Sequence, residues 1–118
     1  MFLLRYPEVI LNKAEALAML GREDDSKACL QELRSNRFKG ADLQSVVETG
    51  DDYITFVRDE RRRELCFEGH RWFDLRRTTR PRLEKTYSGT TYVLEENDSR
   101  YTIRIPSEAI EANPGLAN

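Results

Sequence analysis

The most constraining feature of this 118-residue chain is a charged stretch on what should be an apolar helix face. The sequence predicts its longest helix from about Gly50 to Glu68, opened by a capping box in which Thr49 is followed three residues later by Asp52 and stopped by Gly69. At 100° per residue, Ile54, Val57, Leu65 and Trp72 (if the helix ran on) fall within about 60° of one direction, and Arg61 and Glu68 fall in the same arc. An unpaired buried charge is costly, so these two need partners. The chain supplies them, because Glu64 lies three positions from Arg61 and Glu68 four from Glu64, with Arg71 and Asp74 just beyond Gly69. A partly buried ion network of Arg61, Glu64, Glu68, Arg71 and Asp74 is therefore expected, fixing how the segment after Gly69 folds back. Phe56 and Phe67 lie on the opposite side of the wheel, and a helix apolar on two faces is sandwiched between neighbours.

Upstream, Tyr6, Ile10, Ala14, Leu17 and Leu20 line one face of a predicted helix, with Glu8, Asn12 and Glu15 elsewhere, Pro7 in its first turn and Gly21 at its end. Asp24, Asp25 and Ser26 offer N-caps for a second helix through Cys29, Leu30 and Leu33, ending near Arg37 to Gly40. Ala14, Ala16, Ala18 and Ala28 allow the two helices to approach closely, giving a helical hairpin like a tetratricopeptide unit with a slightly longer turn. A single such hairpin leaves apolar surface over, so it is expected to stack on something. Downstream, a short helix or turn over Arg71 to Arg77 ends before Pro81. Tyr92 to Leu94 and Tyr101 to Ile105, separated by the polar run Glu95 to Arg100, predict a β-hairpin or a pair of short strands. One helical turn follows Ile105-Pro106, and Asn113-Pro114-Gly115 closes the pattern. The expected fold class is mainly α: a tetratricopeptide-like helical hairpin plus a long helix, with a small β-hairpin near the C-terminus, all in one domain over residues 1–118.

Charge argues against several function classes. With 19 basic and 21 acidic side chains the net charge is -2, which gives no global field for nucleic acid or an anionic membrane. The nine arginines from Arg58 to Arg82 alternate with five carboxylates at helical pairing distance, which neutralises the patch a phosphate backbone would need. The same pairing would lower the pKa values of Glu60, Glu64, Glu68 and Asp74 and so spoil a glycosidase acid. No catalytic residue is assigned. His70, the only histidine, has no ligand partner at zinc spacing, so no metal or other cofactor is expected. Cys29 and Cys66 both read as buried small apolar groups, with their redox state left open. Trp72, Tyr87, Tyr92 and Tyr101 are the aromatics able to stack on a sugar ring, and Trp72 reads as core.

The string Glu60-Arg61-Arg62-Arg63-Glu64-Leu65-Cys66-Phe67-Glu68-Gly69-His70-Arg71-Trp72-Phe73-Asp74-Leu75-Arg76-Arg77 resembles the SusD/RagB signature, E-R then E, followed by E-G-x-R-W-x-D-L-x-R. Two further pieces agree in order. Arg5 to Ala16 looks like the family's last tetratricopeptide helix, and Ile105-Pro106-Ser107-Glu108-Ala109-Ile110-Glu111-Ala112-Asn113-Pro114 looks like its closing I-P-x-x-E-I-x-x-N-P. The resemblance implies a non-catalytic component that binds an oligosaccharide or other nutrient at the cell surface, anchored in the outer membrane by a lipid and working with a TonB-dependent transporter. It also implies that the chain is the C-terminal part of a longer protein whose ligand-contacting residues lie elsewhere. Met1 to Arg5 lacks the charged, apolar and small-residue regions of a signal peptide, so the chain taken alone is either cytoplasmic or separated from its targeting segment. The alternative reading is a stand-alone tetratricopeptide-like scaffold that binds a protein partner through its groove.

Overall fold

A computed structural model describes residues 5–116; Met1 to Leu4, read above for targeting features, lie outside the described residues, as do the last two. The chain divides into two compact units, Met1–His70 and Arg71–Asn118.

In the first unit, helix α1 (Tyr6–Met19) starts on Pro7, whose fixed φ suits a first turn, and Gly21 leaves it at φ 71. Helix α2 (Glu23–Ser35) packs back against it. Asp24 and Asp25 do not cap α2 but lie in its first turn, where their charges favour the N-terminal end of the helix dipole; the N-cap is Arg22, which makes no side-chain cap. Ser26 is fully buried instead. Its hydroxyl donates to the Ala14 carbonyl at 2.6 Å and accepts from the Tyr53 hydroxyl at 2.7 Å. One serine thus joins α1, α2 and the third helix, α3 (Gly50–Glu64).

Thr49 is the N-cap of α3, as its position in the sequence suggests, but its side chain makes no cap hydrogen bond. The Gly50 amide is satisfied by the Glu23 carboxylate at 2.7 Å, so a residue of α2 does the work expected of a local cap. α3 ends at Glu64, four residues short of the expected Glu68. Beyond it the backbone turns through Phe67 at φ 64 and Gly69 at φ 83, a conformation that breaks the helical wheel. Phe67 is consequently fully exposed, not sandwiched, and Cys66 is exposed whereas Cys29 is buried; both thiols are free.

The core draws Ile10, Leu11, Ala14, Leu17 and Ala18 from α1, Cys29, Leu30 and Leu33 from α2, and Tyr53, Val57 and Leu65 from α3 and its end. Tyr6 and Leu20, at either end of the predicted face of α1, are 67% and 72% exposed, and Leu11 and Ala18 are buried instead. Of the alanines expected at the helix contact, Ala14 and Ala18 are buried while Ala16 and Ala28 are exposed. The buried face is rotated because α1 packs on α3 as well as on α2.

In the second unit, α4 (Arg71–Arg77) occupies the range its flanking glycine and proline predict. The hairpin differs from expectation. Strand β1 (Leu83–Tyr87) pairs antiparallel with β2 (Thr90–Leu94), Leu83 opposite Leu94 and Tyr87 opposite Thr90. Ser88 and Gly89 turn the chain at φ 48 and 77, the two positive values of a type I′ hairpin. Tyr101, assigned to a strand by sequence, lies in a 3-10 turn (Ser99–Tyr101) and is buried. Its ring stacks on Trp72 with centroids 5.2 Å apart, and its hydroxyl donates to the Pro81 carbonyl. The closing helix α5 (Ser107–Ala112) runs longer than the single turn expected.

The Ser26 junction makes a sharp prediction. Ser26→Ala strands the buried Tyr53 hydroxyl and should cost about 1–3 kcal/mol in urea unfolding, whereas adding Tyr53→Phe removes the stranded group and should recover much of that loss. A double variant less stable than Ser26→Ala would contradict the junction.

Candidate functional site

Three arginines, Arg61 to Arg63, crowd the last turn of α3, an end where cations are favoured. What holds them is a lattice of carboxylates and long-range guanidiniums. Glu60 is 8% exposed and accepts from Arg34 Nη1 at 2.6 Å and from Arg63 Nη2 at 2.9 Å. The Arg34 guanidinium also lies 5.0 Å from the Phe38 ring centroid and 5.6 Å from that of Phe56. Its Nε is buried without a hydrogen-bond partner, and the contact with two aromatic rings offsets part of that loss.

Glu64 accepts two bonds from Arg37, at 3.0 and 2.7 Å, and stands 3.6 Å from Arg5. The hydrogen bonds from Arg37, with the nearby positive charges of Arg37 and Arg5, hold its pKa below the usual carboxylate range, although burial pushes the other way. Arg5 donates to the Glu64 carbonyl at 3.1 Å, satisfying a helix-end group, and reaches Glu68 at 2.6 Å. Arg61, 6% exposed, donates to Asn12 at 2.8 Å and lies 3.8 Å from Glu8, which His70 approaches at 3.9 Å. Arg58 meets the buried Glu15 at 3.3 Å. The side of α1 that periodicity marks as polar therefore faces the arginines of α3.

Among the residues expected to form an ion network, Arg61, Glu64 and Glu68 lie in the first unit, where Glu64 and Glu68 converge on Arg5. Arg71 opens α4 and is exposed, and Asp74, within α4, binds Arg77 at 2.9 Å. Sequence reasoning missed Arg5, Arg34 and Arg37, because helical spacing reports partners three or four residues away and their pairs span 26 residues or more; it also left out Glu60, although Arg63 lies three residues on. The remaining signal was Arg5 at the start of the helical hairpin and Arg34 and Arg37 at its finish. Of the aromatics considered for stacking, Trp72 and Tyr101 are engaged with each other, while Tyr87 and Tyr92 are 70% and 60% exposed.

Chemically the pairing with Arg37 keeps Glu64 ionised. A glycosidase acid needs a raised pKa, and Glu64 is shifted the opposite way. Two outcomes are expected. Glu60→Ala leaves Arg34 nearly buried and unpaired and should cost about 3–5 kcal/mol, whereas Glu68→Ala, at a side chain 35% exposed, should cost about 1 kcal/mol or less; equal losses in thermal denaturation would contradict that ranking. Because the folded state lowers the pKa of Glu64, its contribution is complete above the unfolded carboxylate value of about 4.3 and is lost as pH falls through the folded value. Melting between pH 7 and pH 3 should therefore show a shallower acid loss for Glu64→Gln than for the unmodified chain, and identical slopes would contradict the assignment.

Comparison with known proteins places the sequence. The sequence matches the SusD family over residues 1–118. It is 36% identical over 84 residues to a SusD-like protein of Formosa agariphila, an alignment that takes in 66% of this chain and 17% of that protein. The chain thus corresponds to a small fraction of its relative's length, and with every residue inside the match it belongs to the SusD family.

Proposed function

We propose that the chain is the C-terminal part of a surface-exposed outer-membrane lipoprotein that captures an oligosaccharide or other nutrient and passes it to a TonB-dependent transporter, without catalysing a reaction. The observation that carries this reading is the family match across all 118 residues, which includes the Glu60 to Arg77 string. The arginine pairing of Glu60, Glu64 and Glu68 supports a non-catalytic role, since each carboxylate is occupied as a counter-ion. No helix among the described residues is long and apolar enough to cross a membrane, and in this reading attachment is through a lipid.

Within the same proposal the 118 residues act as one C-terminal domain, with Arg61, Glu64, Glu68, Arg71 and Asp74 as its structural ionic residues. The pairing of Glu64 and Glu68 with Arg5, and of Asp74 with Arg77, supports ionic roles for these side chains, each within its own unit. The primary ligand contacts lie outside this chain. A stand-alone scaffold is the weaker reading, since the whole chain is accounted for by the family.

Glycan-array binding by the full-length protein, with co-purification of the adjacent transporter, tests the proposal. Binding to a defined glycan class and recovery of a TonB-dependent partner are expected. A protein that binds no glycan or other nutrient and recovers no transporter would overturn it.

A further inference from the structure

Between the C-terminal half of α2, the turn after it and the end of α3 lies an open pocket of about 180 Å³, whose walls include Arg34, Arg37, Phe38, Glu60, Arg63 and Glu64. Its charge is unbalanced, three guanidiniums facing two carboxylates. Both carboxylates are shared further: Glu60 serves Arg34 and Arg63 together, and Glu64 serves Arg5 as well as Arg37. A local positive excess therefore sits on a chain whose net charge is -2. It is carried at the rim, where the side chains of Arg37 and Arg63 are 42% and 58% exposed, while Arg34 behind them is only 12% exposed. Phe38, 40% exposed, contributes an aromatic wall beside Arg34.

An oxyanion fits the charge, and a compact ring with apolar C–H faces fits the wall. Guanidinium forks hold carboxylates through paired, charge-assisted hydrogen bonds, and an exposed aromatic ring gives a pyranose a surface to lie against. We infer that this pocket is a subsite for a carboxylated sugar, a hexuronate whose carboxylate is held by Arg37 and Arg63 and whose ring rests on Phe38. The inference rests on the glycan-capture reading and narrows it, since it gives this C-terminal part a ligand contact of its own, apart from the primary one. Uncharged sugars would gain nothing from the two rim arginines, so the subsite selects for acidic glycans and weakens as salt screens the pair.

Arginine Nε–H resonances of the full-length protein report the test directly. Sodium D-glucuronate is the probe, with D-glucose and sodium acetate at matched ionic strength as controls. Glucuronate should move the Arg37 and Arg63 signals more than either control does. Arg63→Gln, at an exposed position, should weaken the response at Arg37 about tenfold, the scale of one charge-assisted hydrogen bond, with Arg63→Lys losing less. Unmoved signals, an equal response to glucose or acetate, or unchanged affinity in Arg63→Gln would each overturn the subsite. Should the full-length protein bind neutral glycans while glucuronate leaves these signals in place, the subsite alone falls; if no glycan of any kind binds, the broader reading falls with it.

Discussion

The carboxylate of Glu60 fixes the arrangement around the end of α3. It is nearly buried, and a buried carboxylate is tolerable only where donors converge on it. Arg34 and Arg63 converge from α2 and α3, and Arg34 in turn brings Phe38 and Phe56 to its guanidinium. The distance between α2 and α3 at this end is thus set by an ion pair and two aromatic contacts, while at the other end it is set by the Ser26 and Tyr53 hydroxyls and by the Glu23 carboxylate on the Gly50 amide. Between these two polar ties the apolar side chains need only fill space. Such a division suits a helix too charged to be held by hydrophobic burial alone.

How much of this was legible depends on the range of the interaction concerned. Helix α4 follows from Gly69 and Pro81 on either side of a helical run, and the α1–α2 hairpin follows from periodicity with Gly21 between. The end of α3 was misplaced because the apolar spacing continues through Leu65 while the backbone leaves the helix there, a choice set by Arg5 and Arg37 gathering at Glu64. The strand pairing was misread for a different reason. Tyr101 to Ile105 has the stronger β composition, but Ser88-Gly89 supplies the tighter turn, and a two-residue turn outweighs propensity by pairing its neighbours at once. Tyr101 is then free to enter a core with Trp72.

The candidate site was legible in kind and not in membership. An apolar face interrupted by charge announces ion pairing, and ion pairing is abundant in the first unit. The partners come from Arg5, Arg34 and Arg37, residues whose roles are decided by tertiary packing. The polar edge of α1 shows the same limit from the other side: Glu8, Asn12 and Glu15 look solvent-facing on a wheel and serve as partners for Arg61 and Arg58.

Arg5 has a mechanical consequence. It stands just before the first turn of α1 yet is fastened to the far end of α3 through the Glu64 carbonyl and the Glu68 carboxylate. Because the start of α1 and the end of α3 meet there, tension applied at Arg5 passes straight to the end of α3, and the ion pair and carbonyl contact bear it before the interior of either helix does.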